Sequence, residues 1–374
     1  ALEKIKIIEA WQHTRGREDI TVAVIDTGID WQHEDLSDRI WINNKEIPSN
    51  NIDDDNNGYI DDVRGWDFFG QGDNDPLDET STKNPGHGTH CAGIIAASAN
   101  NNKGISGAAP LVKLMPIRFL GADGSGNLMS AVKAIDYAIN NGAQVISASW
   151  GAEVQAAQMK PVLEAIERAN KKDIVFVAAA ANNGSSNDIK EVYPANAPSD
   201  NVISVSASQN DDNKPTWSNF GQATVSLAAP GANILSTLPG NKYGNLSGTS
   251  MATPLVAALS ALILSQAKDL NITLKPEDIK AILQATGENV SIETACNCRV
   301  SAAKALAHLD EKKLLFVPFA KTLQPSETLS LKSLFATHPL TFLSSTPEVI
   351  SIDEKGTITA KANGSTTISI KDSQ

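Results

Sequence analysis

Residues 248–254 (GTSMATP) contain a serine, Ser250, and lead directly into an apolar run from 255 to 264. The run is apolar on nearly every side, which predicts a helix buried inside the fold rather than an amphipathic surface helix. We expect Pro254 in the first helical turn, where proline is tolerated. Ser250 then stands at the amino end of this helix, beside unpaired backbone N–H groups. Its hydroxyl is either a helix cap or a nucleophile, and a cap is the commoner role.

The second segment with reactive side chains is residues 86–93 (GHGTHCAG). His87 and His90 are three residues apart, whereas the zinc-binding helix motif places its histidines four apart with a glutamate between them, so a metal pair is disfavoured. A general base needs one imidazole whose tautomer is fixed by a carboxylate and whose other nitrogen reaches a hydroxyl. Asp26, His87 and Ser250 supply these three groups, in the order Asp, His, Ser.

The elements that must position these groups alternate between apolar runs and helical patterns. Short apolar runs, each of a length that suits a fully buried strand, lie at 20–25, 112–119, 144–149, 174–181 and 201–207. Helical patterns lie near 128–141, 161–171, 275–286 and 299–309. This alternation predicts an α/β fold, with a doubly wound parallel sheet and helices on both faces. Asp26 and Asn182 each follow an apolar run directly, so both should face the crevice at the carboxyl ends of the strands.

The order of the three groups separates the known classes of serine hydrolase. The α/β-hydrolases run Ser, Asp, His, and chymotrypsin-like chains run His, Asp, Ser, whereas Asp, His, Ser on a parallel sheet is the subtilisin arrangement. Residues 24–28 (VIDTG), 86–93 and 248–254 resemble the Asp, His and Ser signatures of the subtilisin-like serine proteases. The resemblance covers roughly residues 10–309.

The resemblance assigns a role to each reactive group. It implies that Asp26 orients the imidazole, that His87 is general base and then acid, and that Ser250 attacks the scissile carbonyl. Asn182 matches the oxyanion-hole asparagine, whose side-chain N–H acts with the backbone N–H of Ser250. The family usually has glycine before this asparagine, where this chain has Ala181. A surface turn is the alternative interpretation of Asn182.

Two stretches resemble the walls that hold an extended peptide by strand addition. They contain Gly124, Ser125 and Gly126 on one side and Ser149, Trp150 and Gly151 on the other. Backbone pairing carries no sequence code, so the resemblance implies broad specificity, with pockets adding preference. Trp150 either walls the first pocket or packs in the core, and Val192 at the pocket floor would make that pocket shallow.

Acidic residues are concentrated in residues 53–79, which hold nine Asp and one Glu against one basic residue. The net charge of −12 argues against nucleic acid or an anionic membrane as partners, and its concentration here indicates metal chelation. Oxygen ligands at positions 1, 3, 5 and 9, with glycine at 6, match an EF-hand-like calcium loop. The ligands so predicted are Asp53, Asp55, Asn57 and Asp61. Position 12 is Arg64 rather than Glu, so this is no regular EF-hand, and a solvated acidic loop is the alternative.

Two further Ca²⁺ sites are implied by the resemblance alone. One would use Asp67, Asp73 and Asp75, and the other Asp35 with Asn102 in the loop at 100–102. The resemblance also implies that His90 is structural.

Three cysteines, Cys91, Cys296 and Cys298, permit at most one disulfide, and a Cys-x-Cys bridge is geometrically awkward. The chain is therefore not expected to be a disulfide scaffold. Cys91 resembles a cysteine that some family members carry after the His signature, and a small buried apolar residue is its simplest role. No apolar stretch approaches the ~20 residues that a bilayer span needs. The sequence begins at Ala1, which fits a mature product trimmed of leading segments.

From about residue 311 the pattern changes to short strand-like segments separated by turn pairs at 355–356 and 363–364. This predicts two domains, a peptidase domain over 1–310 and an all-β module over 311–374. Residues 347–360 resemble a bacterial immunoglobulin-like domain, which implies binding or spacing rather than catalysis.

Taken together, the resemblance implies a secreted serine endopeptidase that is stabilised by Ca²⁺ and hydrolyses proteins through an acyl-enzyme. The cell surface and the periplasm are alternative locations. The expected partners are polypeptide substrates and the chain's own cleaved propeptide, and we expect a monomer. The rival hypothesis is a catalytically silent protein of the same fold that binds or adheres through its β module.

Overall fold

The structure, a computed structural model that describes residues 1–372, is organised around one nine-stranded sheet. Its helices are α1 (Ile7–Ala10), α2 (His87–Ala96), α3 (Leu128–Asn140), α4 (Ala156–Asn170), α5 (Thr249–Asp269), α6 (Pro276–Ala285) and α7 (Ala302–Glu311), with a short 3₁₀ helix at Ser37–Arg39. Its strands are β1 (Thr21–Asp26), β2 (Trp66–Asp67), β3 (Lys113–Arg118), β4 (Val145–Ala148), β5 (Ala152–Glu153), β6 (Val175–Ala179), β7 (Val192–Tyr193), β8 (Val202–Ser208), β9 (Leu227–Pro230), β10 (Ile234–Leu238), β11 (Lys242–Leu246), β12 (Glu288–Asn289), β13 (Cys298–Arg299), β14 (Leu315–Val317), β15 (Thr328–Ser330), β16 (Lys332–Leu334), β17 (Leu340–Ser344), β18 (Ile350–Ile352), β19 (Thr357–Ala360) and β20 (Ile368–Asp372).

The strand order in the large sheet is β12-β13-β9-β8-β6-β4-β1-β3-β2. β1 pairs in parallel with β3 on one side and with β4 on the other, so the winding direction of the chain reverses at β1. Every residue of β1 is buried, as expected of a parallel strand covered on both faces. The predicted doubly wound parallel sheet is confirmed, and β1 delivers Asp26 to the edge where the winding reverses.

Two hydrophobic cores lie on opposite faces of the sheet. Successive side chains of a strand point to opposite faces. Val22 and Val24 of β1 accordingly pack into the core that contains α2 and α5, whereas Ala23 and Ile25 pack into the core that contains α3 and α4. The alternation explains why these strands are apolar at every position.

Helix α5 runs through the middle of the first core, and its residues from Met251 to Ile263 are all buried. This confirms the predicted buried helix. By length and composition α5 would also pass as a bilayer span, contrary to the expectation that no stretch approaches one, but 89% of its most apolar window is buried inside the fold. The helix begins at Thr249, so Pro254 is its sixth residue and lies beyond the first turn, which corrects the predicted position.

Among the described residues after Glu311 the regular elements are all strands, which form three small antiparallel sheets: β14 with β16, β15 with β19 and β18, and β17 with β20. These sheets are compatible with the predicted all-β module. Leu315, Val317 and Leu334 belong to the first core, so the module packs directly against the α/β layer. Lys332 Nζ lies 2.7 Å from both carboxylate oxygens of Asp278, whose side chain is 1% exposed.

A disulfide joins Cys296 to Cys298, and Cys91 is a buried free thiol. The expectation that a Cys-x-Cys bridge is geometrically awkward is wrong for this chain. Asn297 has a φ of 47°, and this left-handed turn brings the flanking Cα atoms to 5.1 Å, within the normal range for a disulfide.

Candidate active site

The side chains of Asp26 and His87 meet at the carboxyl end of β1. Asp26 is the last residue of β1 and is fully buried, and His87 is the first residue of α2. His87 Nδ1 lies 2.7 Å from Asp26 Oδ1, which also accepts the backbone N–H of Thr27 at 2.7 Å. A carboxylate at Nδ1 favours the tautomer that is protonated there, which leaves Nε2 free to accept a proton.

The environment of His87 acts on its pKa in two directions. Burial lowers the pKa, but the negative charge of Asp26 and its hydrogen bond to the ring outweigh burial. A second carboxylate, Asp78, adds to the same effect, and the net pKa is raised above 6.5.

Ser250 is the second residue of α5 and does not cap that helix. The N-cap is Gly248, which has no side chain to bond the exposed N–H groups. The Ser250 hydroxyl instead donates to the carbonyl of Ser149, with an O···O distance of 3.2 Å. Ser250 and His87 line the same cavity, of about 390 Å³. For the imidazole to take the Ser250 proton, the hydroxyl would have to exchange its bond to Ser149 for one to His87.

Pro254 explains a second contact between Ser149 and Ser250. Proline has no N–H, so the helical hydrogen bond from residue 254 to the carbonyl of Ser250 cannot form. That carbonyl instead accepts the Ser149 hydroxyl at 2.9 Å and the Cys91 thiol at 3.4 Å. A proline inside the helix therefore anchors the segment that carries Ser250 to the strand end that carries Ser149.

Asn182 follows the carboxyl end of β6 and is held by the start of α5. Its Oδ1 accepts the backbone N–H of Thr249 at 2.8 Å and the Thr249 hydroxyl at 3.1 Å. With Oδ1 engaged, Nδ2 remains as a donor beside Ser250 in the cavity. Ala181, the residue before it, has a φ of 91°, in the region that favours glycine. Its N–H donates to Thr249 Oγ1 at 3.2 Å, and its carbonyl accepts from Asn219 at 3.0 Å, which holds this backbone.

A buried carboxylate that the sequence pattern did not single out ties these elements together. Asp78 accepts the hydroxyl of Thr27, after β1, at 2.8 Å. It also accepts the backbone N–H and the hydroxyl of Thr89, in α2, at 2.9 and 2.7 Å. Burial raises the pKa of Asp78 to about 6, although these hydrogen bonds oppose that shift. The residue thus fixes the end of β1 against the start of α2, which sets the spacing between Asp26 and His87.

Comparison with known proteins identifies the fold family. The sequence matches the Subtilase family (Peptidase_S8) over residues 17–308. The chain belongs to the subtilase family.

Several named subtilases are similar to this chain. It is 38% identical over 282 residues to the "Thermophilic serine proteinase" of Bacillus sp. (strain AK1), and the match covers 75% of this chain and 60% of that protein. It is 36% identical over 289 residues to "Thermitase" of Thermoactinomyces vulgaris, covering 77% of this chain and 88% of that protein. It is 37% identical over 257 residues to "Subtilisin NAT" of Bacillus subtilis subsp. natto, and the match covers 68% of this chain and 58% of that protein. These relatives support a serine endopeptidase.

Four of the six predicted peptide-binding residues of this subtilase line the cavity with Ser250. They are Gly124, Ser149, Trp150 and Gly151. Ser125 and Gly126 are not part of the lining, and the Ser125 hydroxyl donates to Asp123 at 2.6 Å. Trp150 both lines the cavity and packs against the core, where its ring meets that of Phe119 edge-on with the ring centroids 4.9 Å apart. Val192 also lines the cavity.

His90 and Cys91 lie in the same helix turn as His87 but face the core. His90 Nε2 is 3.0 Å from the carbonyl of Ile234 and 3.1 Å from that of Gly244, and burial lowers its pKa to about 4. Burial raises the pKa of the Cys91 thiol well above its usual value. Cys91 Sγ therefore stays protonated, although it approaches the Asp26 and His87 side chains within 4.8 Å.

Three carboxylates converge at the acidic loop. Glu46, Asp55 and Asp62 each place one oxygen within 4.8 Å of the others. Glu46 is 6% exposed and Asp62 is fully buried. Burial raises the pKa of Asp62, although the Tyr137 hydroxyl donates to it at 2.6 Å. Asn57 donates to Asp62 at 3.0 Å, so its amide adjoins the cluster.

The cluster differs from the four ligands predicted by spacing, of which it contains only Asp55. Asp53 accepts two backbone N–H groups of its own loop, including that of Asn57 at 3.0 Å. Asp61 accepts the backbone N–H groups of residues 50 and 51 at 3.1 and 3.0 Å. Glu46 and Asp62 carry no spacing pattern, and only the folded loop identifies them.

The residues of the other two predicted Ca²⁺ sites have different neighbours. Asp67 pairs with Arg118 at 3.0 Å, and burial raises the pKa of Asp67 to about 6. Asp75 accepts the indole N–H of Trp31 at 3.0 Å, and Asp73 accepts the backbone N–H of Asp75 at 2.9 Å. Within residues 1–372, these three aspartates form no carboxylate cluster.

Asp35 meets a different asparagine of the 100–102 loop from the one predicted. Its Oδ1 accepts the side-chain N–H of Asn101 at 2.5 Å, and its Oδ2 accepts the backbone N–H of Ile105 at 3.0 Å. The hydroxyl of Tyr243 donates to the same Oδ2 at 3.0 Å. The contact thus lies one residue before the predicted Asn102.

Proposed function

We propose that this subtilase is a serine endopeptidase that hydrolyses polypeptide substrates through an acyl-enzyme on Ser250. The observation that carries the proposal is the Asp26–His87 hydrogen bond at the edge of the cavity that also holds Ser250 and Asn182. An oriented imidazole, an alcohol and an amide donor in one cleft are the groups that acyl transfer requires.

In the proposed reaction, His87 Nε2 takes the proton of the Ser250 hydroxyl as the oxygen attacks the scissile carbonyl. Asp26 stabilises the imidazolium that forms. The oxyanion accepts hydrogen bonds from Asn182 Nδ2 and the backbone N–H of Ser250. His87 then gives the proton to the leaving amine. Water, deprotonated by the same imidazole, hydrolyses the ester and regenerates the serine.

The rival is a catalytically silent protein that binds through its β module, and an active-serine reagent separates the two. A fluorophosphonate should label the wild-type chain on Ser250, and Ser250→Ala should abolish labelling. The kcat for peptide hydrolysis should be about 10⁶-fold lower in Ser250→Ala, which is the loss found for the serine of subtilisin itself. A folded wild-type chain that neither reacts nor cleaves peptides would favour the binding protein.

We further propose that the acidic loop binds Ca²⁺. Glu46, Asp55 and Asp62 fit the ion because three carboxylates within 4.8 Å of one another supply hard oxygen ligands. Bound Ca²⁺ would neutralise their mutual repulsion and stabilise the folded loop.

A chelator should therefore lower the unfolding temperature, and added Ca²⁺ should restore it, as scanning calorimetry of the Ser250→Ala protein would measure. Glu46→Gln should shrink this difference, whereas Asp53→Asn should retain it if the folded cluster holds the ion. The reverse result would favour the spacing-based ligand set. An unfolding temperature that does not respond to the chelator would contradict Ca²⁺ binding.

The remaining assignments are also proposals. Secretion, a cleaved propeptide as a partner and a monomeric state are proposed from the resemblance to the family. An immunoglobulin-like module over 311–374 that binds or spaces is proposed from the pattern of residues 347–360, and the antiparallel sheets after Glu311 support it.

A further inference from the structure

Glu153 is the single acidic residue that lines the cavity of Ser250 within the part of the chain that the structure describes. The other ionisable lining residues are His87 and Lys83. The catalytic steps proposed above do not use Glu153. A single carboxylate in a cleft of about 390 Å³ is placed to influence which side chains enter it.

The strand pairing places Glu153 beside the pocket floor. β5 pairs with β7 in antiparallel register, and Glu153 stands directly opposite Val192. Residues directly opposite in such a pair project from the same face of the sheet, so the two side chains are neighbours. Gly151 keeps this corner open, since a Cβ there would lie 3.2 Å from Val192 Cγ1.

Two polar groups hold the carboxylate of Glu153. Its Oε2 accepts the side-chain N–H of Asn183 at 3.3 Å, and its Oε1 lies 3.6 Å from Lys190 Nζ. Asn183 is the residue after Asn182, and both line the cavity, so the carboxylate is bonded to the loop that carries Asn182. The side chains of Glu153 and Lys190 are 43% and 58% exposed, so Lys190 can turn into solvent and release the carboxylate.

The position of the imidazole decides which substrate residue this charge meets. His87 delivers its proton to the leaving amine, so the leaving part of the peptide lies towards α2 and the segment that carries Lys83. The carbonyl oxygen lies at Asn182, and the acyl part extends from there. Glu153 and Val192 therefore lie on the acyl side.

We propose that Glu153 selects a basic side chain, lysine or arginine, on the substrate residue that supplies the scissile carbonyl, and that Lys190 opposes this preference. The inference rests on the proposed peptidase function. The apolar stem of such a side chain packs over Val192 and Trp150, and its charged head replaces Lys190 beside the carboxylate. The preference is modest because the pair is partly exposed to solvent.

Matched peptides test this proposal. The substrates carry arginine or its neutral isostere citrulline before the scissile bond, and the measured quantity is the ratio of their kcat/KM values. Glu153→Gln should lower the Arg/citrulline ratio by about two- to fivefold, and Lys190→Gln should raise it by about twofold. Raising the ionic strength should lower the ratio in the wild type and leave it constant in Glu153→Gln.

Glu164→Gln is the matched control, because Glu164 faces Lys160 at 3.9 Å on the exposed side of α4, away from the cavity. Its ratio should equal that of the wild type. The citrulline peptide reports any general loss of activity, so the ratio isolates the charge. If Glu153→Gln cleaves both peptides with the wild-type ratio, the specificity proposal is overturned. If the wild type cleaves neither peptide nor a protein substrate, the peptidase function itself fails instead.

Discussion

At the scale of single residues, the Asp26–His87 pair connects structure to a measurable pH dependence. The pKa of His87 is raised above 6.5 because the charge and hydrogen bond of Asp26 outweigh burial. In the proposed mechanism a protonated imidazole cannot accept the Ser250 proton, so the reactive form of the protein is the one present above that pKa.

We predict that kcat/KM for a non-ionising peptide rises with pH and reaches half its maximum above pH 6.5. Asp26→Asn should lower both the maximum and the midpoint, because the negative charge that raises the pKa is gone. Steady-state kinetics across the mildly acidic to alkaline range would measure this. A rate independent of pH in that range would exclude His87 as the base.

The raised pKa of His87 also makes the free energy of unfolding depend on pH, in the opposite direction to the predicted activity. A folded-state pKa above the unfolded value means that folding favours proton binding. The stabilisation from the His87–Asp26 pair is therefore complete below the unfolded pKa, and it is lost as the pH rises through the higher folded value. The pH range in which His87 is deprotonated, and so able to act as the proposed base, is therefore the range in which this stabilisation is absent.

The proposed catalytic residues could be named from the sequence because acyl-transfer chemistry restricts both their type and their order. Asp26, His87 and Ser250 are recognisable from short signatures that surround each of them. Asp78 and Thr249 were not, although the first bridges β1 to α2 and the second fixes Asn182. Their positions depend on which loops fold together, and no local pattern records that.

At the scale of elements, the start of α5 is bonded to Ser149, the residue that follows strand β4. The carbonyl of Ser250 has no helical donor because residue 254 is proline, and the Ser149 hydroxyl takes that place at 2.9 Å. The hydroxyl of Ser250 donates to the carbonyl of Ser149 in return. Ser250, the proposed nucleophile, is thus fixed through its backbone carbonyl, while its hydroxyl makes a separate bond to Ser149.

We predict that Ser149→Ala destabilises the fold by about 1–3 kcal/mol, because it leaves a buried carbonyl with only the Cys91 thiol. In a Pro254→Ala background the same change should cost less by about 1 kcal/mol, since the introduced alanine supplies the missing helical N–H. Denaturant unfolding of the four proteins, all carrying Ser250→Ala to prevent self-digestion, measures this coupling.

Ser147→Ala is the control for that cycle. Ser147 lies in β4, and its buried hydroxyl makes no hydrogen bond to the residues that the structure describes. Its cost should be the same with proline or alanine at position 254. Equal costs of Ser149→Ala in the two backgrounds would contradict the proposed exchange of donors.

Elements were predicted well where burial dictates the sequence and less well where side chains bond to their own loop. The continuous apolar runs of β1 and β6 follow from burial on both faces. In the acidic loop, spacing selected Asp53 and Asp61, whose carboxylates accept backbone N–H groups of nearby turns, and Glu46 of the convergent cluster accepts such groups as well. Carboxylates throughout the loop make local bonds of this kind, so the convergence of Glu46, Asp55 and Asp62 follows from the folded loop and not from spacing.

At the scale of the whole molecule, the β module is attached to the α/β layer by apolar contacts and by one buried charge. Leu315, Val317 and Leu334 extend the first core, and Lys332 pairs with Asp278 on α6. Asp278 also accepts the backbone N–H of Lys275 at 2.8 Å, at the start of the same helix. The composition change near residue 311 predicted where the strands begin, but not that they share a core with the helices.

We predict that Lys332→Gln lowers the free energy of unfolding by about 1–3 kcal/mol, because it leaves the buried Asp278 carboxylate without its cation. Lys321→Gln, which removes an exposed pair with Asp200, should change it by less than about 0.5 kcal/mol. Denaturant unfolding in the Ser250→Ala background would measure both. Equal effects of the two substitutions would show that the Asp278 contact does not couple the two parts.

The Cys296–Cys298 bridge has a consequence for where this protein can work. The bridge spans a separation of two residues, so it restricts almost none of the freedom that the unfolded polypeptide has. Cohesion must come from the sheet, the two cores and the charges at the loop and module. Reducing this disulfide should therefore change the free energy of unfolding little, and the folded state does not depend on an oxidising environment.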